Sequence, residues 1–169
     1  MSLRFAAIDF ETANSSRDSA CAIGIARVNA GVIVEMRHWL IRPPTSTFTF
    51  TPIHGIAWSD VRSAPTFAEV WQEAVRLVAD VAFLAAHNAP FDRSVLAACC
   101  RTAGVPNLAT PFRCTVQLAR KSFGIYPTTL PSVCRHLGIS LDHHNALSDA
   151  EACARIVLAA GHSEHGVQG

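Results

Sequence analysis

The sequence predicts an α/β fold in a single domain, with a mixed five-stranded sheet flanked by helices. Its 169 residues are enough for one sizeable core, and 50% of them are hydrophobic. Strand-like apolar runs dominate the first part of the chain, and segments of helical periodicity follow. The predicted order is β-β-β-α-β-α-β-α-α-α. A hairpin meander followed by alternating strands and helices is typical of a sheet with both parallel and antiparallel strands.

The first three predicted strands lie in residues 4–9, 21–29 and 32–41. The first is a short apolar run that ends in an acidic residue, and the other two contain several β-branched residues. An Asn-Ala-Gly turn at 29–31 separates the second strand from the third, which indicates a hairpin. Two prolines at 43–44 end the third strand, and a long irregular loop is expected up to about residue 65.

The rest of the chain predicts helices and two further strands. From Thr66 to about residue 78, apolar side chains recur every three or four residues, which predicts an amphipathic helix. By the same criteria we expect strands at 81–86 and 112–114, and helices at 90–103, 116–122, 130–137 and 146–160. The last helix is expected to end at Gly161, which leaves 162–169 as a short, polar, unstructured tail.

Composition excludes several classes of protein. The formal net charge is +1, so no general basic field indicates nucleic-acid binding, although a metal site and arginines can supply positive charge locally. The six cysteines contain no CxxC pair, and charged residues interrupt the first apolar run, so no secretory signal is recognised. No stretch approaches the roughly 18 unbroken apolar residues of a membrane span. We therefore expect a cytoplasmic protein with reduced thiols and no membrane partner.

Two acidic residues, Asp9 and Glu11, come at the end of the first predicted strand. Side chains two residues apart on a strand share one face, so both carboxylates are expected on one face and Phe10 on the other. Crowded carboxylates repel each other unless a cation neutralises them, and hard oxygen ligands suit Mg²⁺ or Mn²⁺. The alternative is an ordinary acidic strand end.

Two further acids stand near the starts of predicted helices. Asp92 ends the run HNAPFD at 87–92, which spans a strand-to-helix junction, where ligand sites in α/β sheets tend to lie. Asp149 falls in the first turn of the last helix, and His144 precedes it on the entering loop. Each acid alone is explained by the favourable charge at a helix N-terminus. Three acidic clusters, each at the edge of an apolar element, are much less expected by coincidence and favour one metal site.

Together these motifs resemble, in order and spacing, the DEDD superfamily of 3′→5′ exonucleases. The match is to its histidine-bearing branch, which includes the epsilon subunit of bacterial DNA polymerase III, ribonuclease T and oligoribonuclease. The similar segments are DFET at 9–12, HNAPFD at 87–92, and His144 with Asp149 five residues later. IHGI at 53–56 also resembles a family segment that touches the terminal nucleotide. The resemblance covers about residues 5–156 and implies a ribonuclease-H-like fold, with 1–161 as the exonuclease domain.

The resemblance also implies roles for individual residues. Asp9, Glu11, Asp92 and Asp149 would hold two divalent metal ions, Mg²⁺ or Mn²⁺, and His144 would be the general base. Substrate contacts are expected from Phe10, Thr12, His54, Gly55, Ile56, Asn88 and Phe91. Core packing is the alternative for Phe10, Ile56 and Phe91, and helix capping alone would explain Asn88. His143 is expected to be a solvated loop residue.

The expected partner is a nucleic acid with a free 3′ end, with single-stranded DNA as the first choice and nucleoside 5′-monophosphates as products. Short RNA is one alternative, because the same acids serve both polymers and no 2′-OH discriminator is recognisable. A catalytically silent interaction module on the same fold is another, and the five intact catalytic residues argue against it. A proofreading subunit is the third; no polymerase-binding segment is evident, which favours a stand-alone enzyme.

Overall fold

The fold is known from a computed structural model, which describes residues 4–165. The strands are β1 (Arg4–Thr12), β2 (Ala20–Asn29), β3 (Val32–Leu40), β4 (Leu84–Ala86) and β5 (Phe112–Cys114). The helices are α1 (Thr51–His54), α2 (Trp58–Val61), α3 (Phe67–Val78), α4 (Ala89–Ala103), α5 (Thr115–Phe123), α6 (Leu130–Leu137) and α7 (Ala146–His165).

The strands form one mixed sheet in the order β3-β2-β1-β4-β5, with β1 at its centre. β2 is antiparallel to both β1 and β3, whereas β4 is parallel to β1 and β5 is parallel to β4. The predicted five-stranded mixed sheet is confirmed. Because β1, β4 and β5 run in the same direction, their carboxyl ends meet at one edge of the sheet, where ligands bind in open α/β sheets.

Two separate apolar clusters cover the two faces of the sheet. Ile8 and Phe10 of β1 belong to the cluster that includes side chains of α3 and α4. Phe5 and Ala7 belong to the cluster that includes side chains of α5, α6 and α7. The alternation along β1 therefore decides which helices each side chain meets, and odd-numbered positions face α7.

The loop after β3 is more ordered than the sequence analysis expected, because it contains α1 and α2. Each has four residues, which is too short for a periodic pattern to be recognised. α1 has a proline in its first turn and ends at Gly55, whose φ of 79° favours glycine. At the start of α2, Asp60 Oδ2 accepts a hydrogen bond from the Ala57 N–H at 2.7 Å. Local capping, rather than periodicity, defines both helices.

α7 continues to His165, beyond Gly161, where the sequence analysis expected it to end. A glycine inside a helix costs only about 1 kcal/mol relative to alanine. That is too little to terminate a helix of 20 residues that packs on the sheet. Residues 166–169 of the predicted tail lie outside the described part of the chain. Within 4–165, the structure contains no helix with the length and apolar character needed to cross a membrane.

Candidate active site

Carboxylates from separate parts of the chain meet at the carboxyl end of β1. Asp9 and Glu11 follow Phe5 and Ala7 on the face of β1 that α7 covers. Asp149 lies in the first turn of α7. Carboxylate oxygens of Asp9, Glu11 and Asp149 lie within 4.8 Å of one another. The structure thus brings together three of the four acids that the sequence analysis selected as metal ligands.

The fourth acid, Asp92, reaches the same region from α4. Its side chain is 1% exposed, and its Oδ1 accepts a hydrogen bond from the Phe10 N–H at 3.0 Å. The chain turns sharply from β4 into α4, because Asn88 has a φ of 64° and a proline lies in the first helical turn. Asp92 is therefore held beside β1, between the backbone positions of Asp9 and Glu11.

Gly24 allows the start of α7 to lie directly on β2. It pairs with Asp9 in the sheet, and a Cβ atom at this position would overlap the backbone carbonyl of Ala146. Asn145 fixes where the helix begins, since its Oδ1 accepts hydrogen bonds from two N–H groups of the first turn at 3.2 and 3.3 Å. This close approach brings Asp149 to Asp9.

The four carboxyl groups have raised pKa values because they are buried close together. Burial, followed by the charges of Asp92, Asp149 and Glu11, raises the pKa of Asp9 well above its usual value. Burial and the charges of Asp149 and Asp92 raise the pKa of Glu11 to about 8. Burial also raises the pKa of Asp92 to about 8, and raises that of Asp149. Such a cluster is stable as anions only when a cation neutralises it.

The oxygens of this cluster fit divalent cations. Asp9 Oδ2 and Asp149 Oδ1 are buried, and neither has a hydrogen-bond partner among the described residues. A buried carboxylate oxygen without a partner costs free energy, and such atoms in native proteins commonly mark a missing ion. Several carboxylate oxygens in one place are the ligands that Mg²⁺ and Mn²⁺ prefer. The donor set therefore agrees with the metal role that the sequence analysis assigned to these acids.

Two adjacent histidines contact Asp149. The backbone N–H of His144 donates to Asp149 Oδ2 at 3.2 Å, and His143 Nδ1 lies 2.9 Å from the same oxygen. The two imidazole rings stack, with centroids 3.7 Å apart. His143 lies on a loop and is exposed, as the sequence analysis expected, but it also has a role that was not assigned: its side chain, 37% exposed, hydrogen-bonds a candidate metal ligand. A second histidine beside His144 was the one signal for it in the sequence.

The His144 ring is suited to accept a proton near neutral pH. Burial, together with the neighbouring His143, lowers the pKa of His144, while Asp149 acts in the opposite direction. The neutral imidazole is therefore the main form at pH 7, and only this form has a free nitrogen lone pair. His144 has a φ of 68°, an uncommon value for a residue other than glycine, and its side chain lines the cleft described next.

Asp9, Glu11 and Asp149 line a cleft of about 400 Å³ together with four histidines, and Asp92 lies buried outside this lining. Among the predicted substrate contacts, Phe10, Thr12, His54 and Phe91 line this cleft, whereas the described lining does not include Gly55, Ile56 or Asn88. Phe10 is only 3% exposed and packs in the core, which supports the packing alternative. The substrate roles of all seven stay predictions. The lining also contains residues that were not among these seven predicted contacts: Phe50, Ile53, His87, Thr129 and Leu130.

Both ring nitrogens of His54 bind the protein itself. Nδ1 accepts a hydrogen bond from the Ile56 N–H at 3.1 Å, so the proton of the neutral ring lies on Nε2. Nε2 then donates to the Thr12 carbonyl at 2.9 Å. These bonds hold the end of α1 against the end of β1. His54 therefore positions one wall of the cleft, whatever contact its ring makes with a substrate.

His87 connects the end of β4 to the segment that leads into α6. Its Nε2 donates to the Thr128 carbonyl at 3.0 Å, and its Nδ1 lies 2.9 Å from the Thr115 hydroxyl. Burial lowers the pKa of His87, so the neutral ring can accept from Thr115 while it donates to Thr128. Since Thr129 and Leu130 line the cleft directly after Thr128, His87 helps to fix their position.

This fold and this cluster of buried carboxylates define a nuclease of the ribonuclease-H-like kind, and comparison with known proteins gives the family. The sequence model of the family described as Exonuclease (RNase_T) matches residues 6–157. The chain therefore belongs to the exonuclease family. Its buried acids agree with the divalent-metal dependence of DEDD exonucleases.

The chain is similar to parts of longer bacterial proteins. DNA polymerase III PolC-type of Clostridium perfringens is 32% identical over 161 residues, which cover 90% of this chain and 11% of the relative. DNA polymerase III subunit epsilon-like protein of Rhodobacter capsulatus is 32% identical over 169 residues, which cover 92% of this chain and 23% of the relative. The chain thus spans about a tenth to a quarter of the length of these relatives.

Solved structures confirm the fold. Exonuclease X in complex with 5′ overhanging duplex DNA is 23% identical, with a TM-score of 0.78 over 95% of this chain and 93% of that one. E. coli Exonuclease I in complex with a dT13 oligonucleotide is 15% identical, with a TM-score of 0.82 over 98% of this chain and 42% of that one. The predicted ribonuclease-H-like fold is therefore correct.

Proposed function

We propose that this exonuclease hydrolyses the terminal phosphodiester bond at the 3′ end of single-stranded DNA and releases nucleoside 5′-monophosphates. The observation that carries the proposal is the convergence of Asp9, Glu11, Asp92 and Asp149 beside one cleft, with Asp9 Oδ2 and Asp149 Oδ1 buried and without hydrogen-bond partners. With His144 in the same cleft, all five residues are present, which argues against a catalytically silent module.

In this proposal the four carboxylates hold two divalent ions, Mg²⁺ or Mn²⁺. When bound, such ions lower the pKa of water and stabilise charge on the phosphate and on the departing 3′ oxygen. Asp9 and Asp149 each offer a buried oxygen for this purpose. Asp92 keeps one oxygen bonded to the Phe10 N–H, which fixes the orientation of its carboxylate.

His144 acts as the general base. Its neutral ring accepts a proton from the attacking water, whose oxygen forms a new bond to the terminal phosphorus. The bond between that phosphorus and the 3′ oxygen of the preceding nucleotide breaks, and this oxygen takes a proton from solvent. Contact with His143 limits the freedom of the His144 ring, since the two rings stack at 3.7 Å.

Two findings support single-stranded DNA as the substrate. Several relatives are DNA polymerases by name, including the PolC-type protein of Clostridium perfringens. The cleft also offers apolar side chains, Phe50, Ile53 and Phe91, against which bases can pack without regard to sequence. Ile53 is 51% exposed, so its side chain is accessible to a base that enters the cleft.

The test uses 5′-labelled single-stranded DNA and RNA of matched sequence, with Mg²⁺, Mn²⁺ or EDTA. We expect a DNA ladder that shortens from the 3′ end, with no products in EDTA and none from Asp9→Ala or Asp149→Ala variants that keep the native circular dichroism spectrum. Faster shortening of RNA would replace the DNA assignment with an exoribonuclease. Near-native activity in either variant would refute the two-metal assignment.

A further inference from the structure

Arg17 lies next to the catalytic cleft, on the loop between β1 and β2. Its guanidinium carbon is 4.6 Å from the centroid of the Phe91 ring, and Phe91 lines the cleft. The Arg17 side chain is exposed. Within residues 4–165 it forms no ion pair and donates no side-chain hydrogen bond, unlike Arg4, which pairs with Asp80. Its N–H donors are therefore available at the edge of the cleft.

The cleft itself provides no fixed positive charge for a nucleic-acid strand. Its described lining includes Asp9, Glu11, Asp149 and histidines, but neither lysine nor arginine. A net charge of +1 also leaves no broad basic surface to attract phosphates. Metal ions at the acids would neutralise charge on the scissile phosphate only. Each further nucleotide of the strand adds one more negatively charged phosphate. A cation outside the metal site would therefore stabilise the next phosphate along the strand.

Hydrogen bonds hold the loop that carries Arg17 in one conformation. The Ser16 N–H donates to Asn14 Oδ1 at 2.9 Å, within the loop. The Thr102 hydroxyl donates to Asp18 Oδ2 at 3.0 Å, which ties the loop to α4. Phe91 is itself a residue of α4. The loop that carries Arg17 is therefore hydrogen-bonded to the same helix that carries the ring under the guanidinium. Because the position of Arg17 is set in advance, little conformational entropy is lost when it binds a ligand.

We infer that Arg17 binds a backbone phosphate of the DNA strand, on the 5′ side of the scissile bond, and so favours oligonucleotides over substrates with a single phosphodiester. The inference rests on the proposed function. A planar guanidinium can stack with one face on Phe91 while its edge donates two parallel hydrogen bonds to phosphate oxygens. Arg17 acts in substrate selection and takes no part in the proton transfer assigned to His144.

The experiment compares the native chain with Arg17→Gln on two substrates, the oligonucleotide dT10 and the dinucleotide TpT, which has no phosphate other than the scissile one. For dT10 we expect KM to rise at least about tenfold, because both hydrogen bonds from the guanidinium to the charged phosphate are lost. The slope of log(kcat/KM) against log salt should become shallower by about 0.7, the value for one phosphate of a single strand. For TpT, kcat/KM should stay at the native value.

Two further variants complete the test. Arg4→Gln removes the same charge at the opposite end of β1, and dT10 kinetics should stay native. Arg17→Lys keeps the charge but lacks the planar fork, so its KM should fall between those of the native chain and Arg17→Gln.

The possible failures are distinguishable. An unchanged KM for dT10 in Arg17→Gln, or an equal loss on dT10 and TpT, would overturn the inference and leave the exonuclease proposal standing. A native chain that shortens neither substrate in Mg²⁺ or Mn²⁺ would overturn the proposed function, and the role of Arg17 with it.

Discussion

His143 and His144 are neighbours with different relations to Asp149. His144 binds it through its backbone N–H, which leaves the ring free to accept a proton, whereas His143 uses its ring nitrogen Nδ1. We therefore predict that His144→Ala lowers kcat by roughly 10²–10⁴-fold at saturating metal, the usual range for a general base. Because burial lowers the pKa of His144, native kcat should fall only when the pH drops below 6.5, the usual pKa of histidine. Measurement of kcat from pH 5 to 9 tests both points.

His143→Ala is the matched comparison, since it removes the adjacent, stacked imidazole. The lost hydrogen bond to Asp149 should raise the metal concentration needed for half-maximal activity, by about 10–100-fold for an outer partner of a metal ligand. At saturating metal its kcat should stay far closer to native than that of His144→Ala, and the acid limb of its pH profile should move to higher pH, because His143 no longer lowers the pKa of His144. If His143→Ala instead loses the acid limb of the profile, and His144→Ala keeps it, the two roles are reversed.

The sequence located the acids and His144 because their motifs are local. Asp9 and Glu11 are two residues apart, and His144 precedes Asp149 by five, so each spacing is visible without a fold. The roles of His54 and His143 were not visible in the same way. His54 binds Thr12, which is 42 positions away, and only the folded chain brings that carbonyl to it. Side chains that hold the site together are therefore harder to find from sequence than those for which we propose a chemical role.

At the scale of whole elements, the contact between β2 and α7 determines whether the site assembles. We predict that Gly24→Ala destabilises the protein by at least about 1–3 kcal/mol, the range for overpacking, because its methyl group would overlap the Ala146 carbonyl. Displacement of α7 would also move Asp149 away from Asp9. The loss of exonuclease activity should therefore be larger than the loss of folded protein alone would cause. Chemical denaturation and activity measured on the same samples provide the comparison.

Gly161→Ala is the control for Gly24→Ala, because it adds the same methyl group to α7 at a position where, among the described residues, no atom outside its own stretch of the helix would lie within 4 Å of it. It should leave activity native and raise stability slightly, since alanine favours a helix by about 1 kcal/mol over glycine. A native stability and activity in Gly24→Ala would show that α7 can shift without harm to the site, contrary to this account.

The elements that the sequence analysis predicted are those with a strong periodic or apolar signal. β2 and α3 were found for this reason, and the sequence analysis also expected the three residues of β5. α1 and α2 were missed because capping and turn residues define them. The importance of Gly24 was also missed. In an isolated strand a glycine only weakens pairing, and its value depends on a helix more than a hundred residues later.

At the scale of the molecule, the site opposes the stability of the fold that contains it. In the metal-free protein the pKa values of Glu11 and Asp92 are raised to about 8, above their usual values of 4.5 and 3.8. At a pH between the usual and the raised pKa values, these two groups are protonated in the folded chain but ionised in the unfolded chain. The contribution of the two groups to the free energy of unfolding is therefore greatest below pH 4 and is lost as pH rises through 8. Divalent cations can replace these protons.

We therefore predict that the melting temperature in EDTA falls as pH rises from 7 to 8.5, and that Mg²⁺ or Mn²⁺ stabilises the protein more at pH 8.5 than at pH 7. This range avoids most of the opposite effect of His38 and His87, whose lowered pKa values add stability as pH rises through 6.5. Thermal unfolding followed by circular dichroism measures the change.

Asp92→Asn is the control: its amide oxygen can still accept from the Phe10 N–H, while one buried charge is removed. Its melting temperature in EDTA should depend less on pH and respond less to metal. A flat profile in the native chain, with or without metal, would mean that the carboxylates do not repel one another as their burial implies.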